Sequence, residues 1–505
     1  MHLGFLGLVG WFGCASPVEP SPPSPALHSP DAEAWAWAPC DLLAPGDLRA
    51  ECVTVDLPLD IAKPDGRTLP IAIKRLPAAE PNHEMAIWVL PGGPGQPGVP
   101  NLFGRSWLQT YLPQATFYTL DHRGTGESAA LTCPDEEAPT SEGGVGVTRN
   151  ERDACARHVA ASHDLSHFTT EAAAADVIAL IEATRWPSQR TVVLGASYGT
   201  YWASRVAARA PKLVDHVVLE AVIPPDTVFH DFDRTMDETG RDWLRACEAS
   251  SECRAQFAGP PLQEAFNALV GLREGTHCVD LGVTAEEVRT WAGEFLMSTT
   301  TRPLVAPLYA RLARCAPSDV EAIEHLFFDV LTIDEPPPSS ALQWPLFWHV
   351  ASNDLWSDGP SSADLDQALE TAVAATGRGA DIAWFAEGWP RVSVPADRVT
   401  IPADVPATLF HGKRDPTSDI DRVRALADAW TESVLIEIPD GAHGLVGATP
   451  FDGWGDCTAR ILVDQLRDPA SPVSGCLDTL VPALFAPDAE ASDAFFGTSD
   501  PWGAP

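Results

Sequence analysis

A serine hydroxyl becomes a nucleophile only when a base takes its proton and an acid orients that base. Ser197 stands in the sequence G-A-S-Y-G at 195–199, between a β-branched run and a segment of helical composition. Strand, sharp turn and helix are the setting of a nucleophile elbow. Asp415 and His443 each follow a predicted strand further along the chain, so both should reach the same edge of a sheet as Ser197. We therefore expect Ser197, His443 and Asp415 to act as nucleophile, base and acid, with Asp440 as the alternative acid.

Acyl transfer also needs hydrogen-bond donors for the negative charge that develops on the substrate carbonyl oxygen. The backbone N–H of Tyr198, directly after the serine, is one expected donor. The second donor is expected from the loop P-G-G-P-G-Q-P-G at 91–98, whose glycines permit close approach of the backbone to a ligand. Gly93 is the first candidate and Gly92 the alternative. The loop lacks the Gly-Lys-Ser/Thr ending of a phosphate-binding loop.

Short apolar runs alternate with segments of helical composition on both sides of the elbow. Predicted strands lie at 51–57, 69–75, 85–90, 115–120, 191–194, 214–221, 407–410 and 434–438, and predicted helices at 169–184, 201–210, 419–430 and 453–466. Residues 129–164 are expected to be a loop. From 227 to 402 apolar residues recur at helical spacing, and tryptophans are frequent. These patterns predict an α/β fold, a mostly parallel sheet flanked by helices, with core segments at 36–226 and 403–505 and a mainly helical cap at 227–402.

The chain of 505 residues is strongly acidic, with a formal net charge of −37. This charge disfavours nucleic-acid partners because a phosphate backbone would be repelled. It also disfavours anionic membrane surfaces, and it attracts cationic groups such as the free amino end of a peptide. The composition does not predict the oligomeric state.

Eleven cysteines are many for a reducing compartment. Cys14 stands apart, and the other ten fall in neighbouring couples: Cys40 and Cys52, Cys133 and Cys155, Cys247 and Cys253, Cys278 and Cys315, Cys457 and Cys476. An even number beyond Cys14 indicates disulfides in an oxidising compartment. Connectivity stays open at this point, and pairing of neighbours is the simplest hypothesis. No zinc-ligand spacing is present, so no metal or other cofactor is expected.

The first thirteen residues are short and apolar, which is typical of the central region of an export signal rather than of a membrane-spanning helix. Gly13-Cys14-Ala15-Ser16 is similar to a bacterial lipoprotein cleavage site, in which Cys14 would carry the lipid and tether the protein to a membrane. A plain signal peptide is the alternative. Residues 14–35 are rich in Pro and Ser and read as a tether. The protein is therefore expected to be exported, as a periplasmic, membrane-anchored or secreted protein.

Five motifs in order resemble the group of α/β-hydrolases that contains the tripeptidyl aminopeptidases and the prolyl aminopeptidases (proline iminopeptidases). They are P-G-G-P-G at 91–95, D-H-R-G-T-G-E-S at 121–128, G-A-S-Y-G-T at 195–200, G-x-x-D at 412–415 and G-A-H-G at 441–444. The resemblance implies a serine exopeptidase that removes residues from a free N-terminus under a helical cap. It also implies a C-terminal segment like that of the tripeptidyl enzymes, closed by a disulfide between Cys457 and Cys476.

The sequence departs from this group at three positions. Ser352 and Ala386 stand in cap segments where tripeptidyl relatives carry cysteines, and Glu220 stands where an aspartate is usual. These departures leave the expected triad intact but bear on the shape of the cap. An aminopeptidase must bind an ammonium group, and Asp354 and Glu387 are the candidate carboxylates for that role.

Two other functions are compatible with these residues. A carboxylesterase or another small-molecule acyl hydrolase would use the same triad, because a fold does not fix a function. A non-catalytic binding protein with a degenerate site is the third hypothesis, and the complete triad argues against it.

Overall fold

The computed structural model describes residues 35–42, 45–80, 84–331, 342–356, 359–394, 400–449, 455–473 and 475–503. Within these residues nine strands form one sheet. They are β1 (Ala38–Cys40), β2 (Ala50–Pro58), β3 (Thr68–Leu76), β4 (Met85–Leu90), β5 (Ala115–Leu120), β6 (Arg190–Ala196), β7 (His216–Glu220), β8 (Ala407–Gly412) and β9 (Ser433–Ile438). Their order across the sheet is β1-β2-β3-β5-β4-β6-β7-β8-β9.

The sheet is antiparallel from β1 through β2 and β3 to β5, and parallel from β5 through β4, β6, β7 and β8 to β9. In the parallel part Leu90 lies opposite Gly195, and Ala196 lies opposite Glu220. This register brings the carboxyl ends of β4, β6 and β7 to one edge, where ligands bind in open α/β sheets. The predicted mostly parallel sheet is confirmed.

The central strands are continuous apolar runs because helices cover both faces of the sheet. All five residues of β7 are buried, as are residues 191–195 of β6. Helices accompany the strands through the described part of the chain. They are α1 (Leu108–Tyr111), α2 (Arg152–Ser162), α3 (Thr170–Thr184), α4 (Tyr198–Arg209), α5 (Phe232–Ala249), α6 (Ser251–Arg254), α7 (Pro261–Glu274), α8 (Ala285–Leu296), α9 (Val305–Arg314), α10 (Pro317–Glu324), α11 (Trp344–Asn353), α12 (Ser362–Leu369), α13 (Arg378–Gly388), α14 (Ile420–Ala429), α15 (Cys457–Arg467) and α16 (Ala489–Phe496).

Helices α5 to α13 lie between β7 and β8 in the chain, within the segment predicted to be a cap. Many of them share a hydrophobic cluster that includes the buried side chains of Trp243, Phe295 and Tyr309. Phe485 and Phe496, from the segment after β9, pack into the same cluster. The C-terminal segment therefore binds the helices inserted before β8 as well as the sheet. The bounds of the core segments and the cap remain predictions.

The expectation of a loop over 129–164 is wrong in part, because residues 152–162 form α2. The helix mixes alanines with charged residues, and it buries Cys155, Ala156 and Val159 against the core. Cys155 is also joined to Cys133 by a disulfide. Because most of its apolar residues are alanines, the helical pattern of hydrophobicity is weak, and tertiary contacts hold the helix in place.

Five disulfides join the neighbouring cysteines: Cys40–Cys52, Cys133–Cys155, Cys247–Cys253, Cys278–Cys315 and Cys457–Cys476. The pairing of neighbours is thus confirmed, including the pair that the family resemblance implied. Cys14, the signal segment and almost all of the tether lie outside the described residues. In the part of the chain that is described, no helix combines the length and apolarity needed to cross a membrane.

Candidate active site

Ser197 occupies a strained turn between β6 and α4. Its backbone has φ 55° and ψ −126°, a region that residues with a side chain rarely adopt. The turn fits only because glycines flank it. A Cβ on Gly195 would lie 2.1 Å from the carbonyl oxygen of Gly199, and a Cβ on Gly199 would lie 2.2 Å from that of Leu90. The local sequence therefore fixes the serine at the tip of a nucleophile elbow.

The three predicted catalytic side chains form one hydrogen-bonded chain. Ser197 Oγ lies 2.9 Å from His443 Nε2. His443 Nδ1 lies 2.9 Å from Asp415 Oδ2 and 3.1 Å from Asp415 Oδ1. With a proton on Nδ1, the imidazole donates to the carboxylate and presents the Nε2 lone pair to the serine hydroxyl. This is the geometry of a general base beside a nucleophile.

Asp415 is a buried carboxylate with several donors. Its Oδ1 accepts hydrogen bonds from Thr417 N at 2.8 Å and Thr417 Oγ1 at 2.7 Å. Burial raises the pKa of Asp415, but the charge and hydrogen bond of His443 and further contacts outweigh it and lower the pKa to about 2. The carboxylate is therefore ionised across the pH range in which the histidine titrates.

His443 lies on a loop held from two sides. Met297, just after α8, accepts hydrogen bonds from the backbone N–H groups of His443 at 3.1 Å and Gly444 at 3.2 Å. From the sheet, Glu220 Oε1 accepts from Val446 N at 2.9 Å. Burial lowers the pKa of His443, whereas the charge and hydrogen bond of Asp415 and the charge of Glu220 raise it, and the net direction is upward.

The alternative acid, Asp440, faces a different group. Its Oδ1 accepts a hydrogen bond from Arg414 Nε at 3.0 Å, and its side chain is 41% exposed. The contact with His443 Nδ1 belongs to Asp415. The geometry thus favours Asp415 over Asp440 as the partner of the base.

The glycine-rich loop after β4 lies against the nucleophile. A Cβ on Gly92 would stand 3.1 Å from Ser197 Cβ and 3.6 Å from Ser197 Oγ. Gly93 has φ 111°, a conformation that favours glycine. Tyr198 is the first residue of α4, where backbone N–H groups have no partner within the helix. Gly93 and Tyr198 remain the expected oxyanion donors, with Gly92 as the alternative to Gly93.

The Tyr198 side chain points away from this role, into a buried polar cluster. Its hydroxyl lies 2.8 Å from Thr170 Oγ1 and 3.3 Å from His122 Nε2. His122 Nδ1 lies 2.7 Å from the Arg123 carbonyl oxygen, so this nitrogen donates and Nε2 accepts from Tyr198. Burial lowers the pKa of His122 to about 3 and keeps the ring neutral. The cluster fixes the orientation of the first turn of α4.

The structure separates the two carboxylates expected to bind an ammonium group. Asp354, directly after α11, is 3% exposed. Its charge contributes, after burial, to raising the pKa of the Tyr198 hydroxyl, so its carboxylate lies near the buried polar cluster of that hydroxyl. Glu387, in α13, is exposed, and its Oε1 accepts from Ser362 N at 3.2 Å and Ser362 Oγ at 3.1 Å. Glu387 therefore supports the start of α12.

Ser352 and Ala386, two of the positions expected to bear on the shape of the cap, lie in helices that pack on each other. Ser352 is near the end of α11 and fully buried, and Ala386 is in α13. Trp348 of α11 stacks on Phe385 of α13 with ring centroids 3.9 Å apart. Aromatic packing holds these helices together here.

A cleft of about 320 Å³ lies between the loop before α2 and helices α11 and α13. Its lining includes Trp344, Trp348, Arg149, Arg378 and Asp381, and it does not include the triad. Helix α11 connects the cleft to the glycine-rich loop, because the backbone N–H of Gln343 donates to the Gly95 carbonyl oxygen at 2.9 Å. Among the described residues, no group of three or more His, Cys, Asp or Glu side chains could hold a metal ion.

Sequence reasoning missed three groups around the triad. The Thr417 hydroxyl contacts both Asp415 and His443. Thr417 is two residues after the predicted acid, so the sequence could have indicated its role. Met297 acts through its backbone, which leaves no signature in the sequence. Arg105, which pairs with Glu220, lies in a segment with no motif of its own.

Comparison with known proteins agrees with this fold. Residues 86–252 match the family model described as alpha/beta hydrolase fold. Tripeptidyl aminopeptidases of Streptomyces lividans and Streptomyces coelicolor are each 26% identical over 227 residues, which is 40% of this chain and 42% of theirs. The match thus spans less than half the length of these curated relatives. The solved proline iminopeptidase of Mycobacterium smegmatis is similar with 15% identity and a TM-score of 0.36, over 82% of this chain and 93% of that one.

The sheet order and the family match establish the predicted fold class, and the curated relatives confirm the resemblance read from the motifs. The chain has the α/β-hydrolase fold, and part of it is similar in sequence to the tripeptidyl aminopeptidases.

Proposed function

We propose that this hydrolase is an extracytoplasmic serine exopeptidase of the aminopeptidase type, which cleaves peptides from a free N-terminus. Release of tripeptides is the form of this activity that the names of the relatives suggest. The observation that carries the proposal is the continuous hydrogen-bonded chain from Ser197 Oγ through His443 to Asp415, at 2.9 Å for each link. This arrangement supplies nucleophilic catalysis on an acyl carbon. No cofactor takes part in the proposed reaction.

In the proposed reaction Ser197 Oγ attacks the scissile carbonyl carbon while His443 Nε2 takes its proton. The negative charge that forms on the carbonyl oxygen is held by the N–H groups of Tyr198 and Gly93, each worth about 3–4 kcal/mol in comparable sites. The intermediate collapses when the imidazolium gives its proton to the leaving amine. Water, activated by the same histidine, then hydrolyses the acyl-enzyme and restores the serine hydroxyl.

The preference for a free N-terminus rests on the relatives and on charge. The two curated relatives are named tripeptidyl aminopeptidases. The net charge of −37 attracts an ammonium group. Glu387 already accepts two hydrogen bonds from Ser362 at the start of α12, so we favour Asp354 over Glu387 as the carboxylate that binds the substrate amino group. The cleft beside α11 could accept the residues between that amino group and the scissile bond.

The disulfides support the proposed extracytoplasmic location. Five disulfides are typical of proteins that fold in an oxidising compartment. We further propose export by the signal segment, with lipidated Cys14 as a membrane tether. Metabolic labelling with a lipid precursor, compared between the full chain and Cys14→Ser, tests the tether.

The deciding experiment compares arylamide substrates with a free and an acetylated N-terminus, from one to four residues long. We expect cleavage of free substrates only, with the released peptide identified by mass spectrometry. Ser197→Ala should abolish both cleavage and labelling by a fluorophosphonate. Ser204→Ala is the matched control, because its hydroxyl only donates to the Thr200 carbonyl oxygen within α4. Hydrolysis of short acyl esters without cleavage of any peptide would replace the proposal with the carboxylesterase alternative.

A further inference from the structure

Glu220, the last residue of β7, contacts both the nucleophile turn and the loop of the base. Its backbone oxygen accepts the N–H of Ser197 at 3.0 Å. Its carboxylate Oε1 accepts the N–H of Val446, three residues after His443, at 2.9 Å. One residue thus connects the two catalytic segments on neighbouring parts of the sheet edge.

The second carboxylate oxygen of Glu220 pairs with Arg105. Arg105 ends the 3₁₀ segment Val99–Arg105, which follows the glycine-rich loop. The two side chains are 8% and 17% exposed, so neither charge is well solvated. A carboxylate this buried is costly unless it is paired, and here each oxygen has its own partner. The carboxylate therefore has one defined orientation.

We propose that Glu220, braced by Arg105, is a positioning residue for His443. It holds the base loop through Val446 and places a negative charge beside the imidazolium that forms during catalysis. Arg105 sets how much of that charge the imidazolium experiences. This inference rests on the catalytic roles proposed above and extends them to a pair outside the triad.

Several groups face His443. They are Ser197, Asp415 and Thr417 by hydrogen bonds, and Glu220 and His411 by charge. His411 stays neutral, because burial lowers its pKa and its Nδ1 accepts a hydrogen bond from Val222 N at 3.1 Å. Asp415 and Glu220 are then the two negative charges among these groups, and both raise the pKa of His443. Glu220 is the weaker of the two and the one whose strength a neighbouring arginine controls.

The length of the side chain matters for this role. A glutamate side chain is one methylene longer than that of aspartate. The longer side chain extends the carboxylate past the end of β7 to the Val446 amide. Glu220→Asp keeps the charge but shortens the reach, so it should retain the pH dependence of the wild type while lowering the rate.

The test measures the rate of Ser197 labelling by a fluorophosphonate, and kcat/KM on the best substrate, as functions of pH. Protonation of His443 sets the acidic limb of these pH profiles, where the rate falls as the pH is lowered. A full charge at 4–6 Å shifts a pKa by about 1–3 units, and Arg105 neutralises part of the charge of Glu220. Glu220→Gln should therefore move the acidic limb to lower pH by less than about one unit. Arg105→Met should move the limb to higher pH, because the carboxylate is no longer neutralised. A merely structural pair would lower both rates and leave the limb in place.

Glu437→Gln is the matched control. Glu437 is also a glutamate at the edge of a strand paired with an arginine, with Arg424 Nε at 2.6 Å, and it does not contact the triad. Its profile should equal that of the wild type. If Glu220→Gln does not fold, Arg105→Met carries the test alone.

Unchanged limbs in the folded variants would overturn the inference while leaving the proposed function intact. Failure of the wild type to label at any pH would instead refute the proposed function. The two failures are therefore distinguishable.

Discussion

Replacing Asp415 by asparagine tests the triad more sharply than removing the nucleophile, because the substitution changes charge and hydrogen bonding but hardly changes volume. Oδ1 of Asp415 accepts two donors from Thr417, at 2.7 and 2.8 Å. In Asp415→Asn the amide oxygen will keep that position, so the amide NH₂ will face His443 Nδ1. Two donors cannot face each other, and the imidazole must therefore move its proton to Nε2. The base then presents N–H to Ser197 in place of a lone pair.

The expected loss in kcat is about 10⁴-fold, the size found when this tautomer is reversed in other Ser-His-Asp sites. That corresponds to roughly 5–6 kcal/mol of transition-state stabilisation. KM should change little, because Asp415 is expected to act on the transition state and not on substrate binding. The assay is steady-state hydrolysis of the best peptide substrate, together with the rate of fluorophosphonate labelling.

Asp440→Asn is the control for this prediction. Asp440 is three residues before His443, but it pairs with Arg414 and is 41% exposed, so its loss should change kcat less than about threefold. A variant Asp415→Asn that retains a tenth of the wild-type kcat would refute the assignment. Loss of activity in Asp440→Asn with retention in Asp415→Asn would restore Asp440 as the acid.

Three further predictions concern pH and stability. Activity should fall as the pH drops through the raised pKa of His443, since only the neutral ring accepts the serine proton, and a pH profile of kcat/KM checks this. The lowered pKa of Asp415 should contribute roughly 2 kcal/mol of stability above pH 3.8, lost as the pH falls toward 2, which urea unfolding at several pH values measures. Arg123→Met should cost about 3–5 kcal/mol in urea unfolding because it leaves Asp176 buried without its guanidinium, whereas Arg185→Met, from an exposed pair, should cost less than about 1 kcal/mol.

Much of the fold could be predicted because the parallel strands are buried on both faces. The predicted bounds 85–90 and 115–120 coincide with β4 and β5, where apolar runs end abruptly at Pro91 and Asp121. The proximity of Ser197, Asp415 and His443 could be predicted because each residue follows a strand of the parallel part of the sheet, although β9 is only partly buried. Strand order and register then bring the three loops together without further information from the sequence.

What could not be predicted depends on contacts between distant segments. Strand β1 has three residues and pairs only with β2, which is too short for a periodic pattern. Helix α2 has only a weak hydrophobic pattern, and its disulfide and the buried residues Cys155, Ala156 and Val159 hold it on the core. The pair of Arg105 and Glu220 joins positions 115 residues apart. No local sequence pattern predicts such a pair, although Glu220 itself stands out as a departure from the group that the motifs resemble.

The inserted helices contribute to the catalytic frame as well as to any covering of the substrate. Four hydrogen bonds connect the segment at 297–302 to the base loop. They run from His443 N and Gly444 N to Met297 O, from Thr299 Oγ1 to Ala448 O, and from Arg302 Nη2 to Asp440 O.

Arg302 is almost fully buried and lies 4.6 Å above the Trp243 ring, which in turn contacts Phe485 of the C-terminal segment. If the end of α8 moved away from the sheet, these bonds would break and His443 would lose its position opposite Ser197. Movement of the end of α8 away from the sheet is therefore incompatible with the catalytic arrangement of Ser197 and His443.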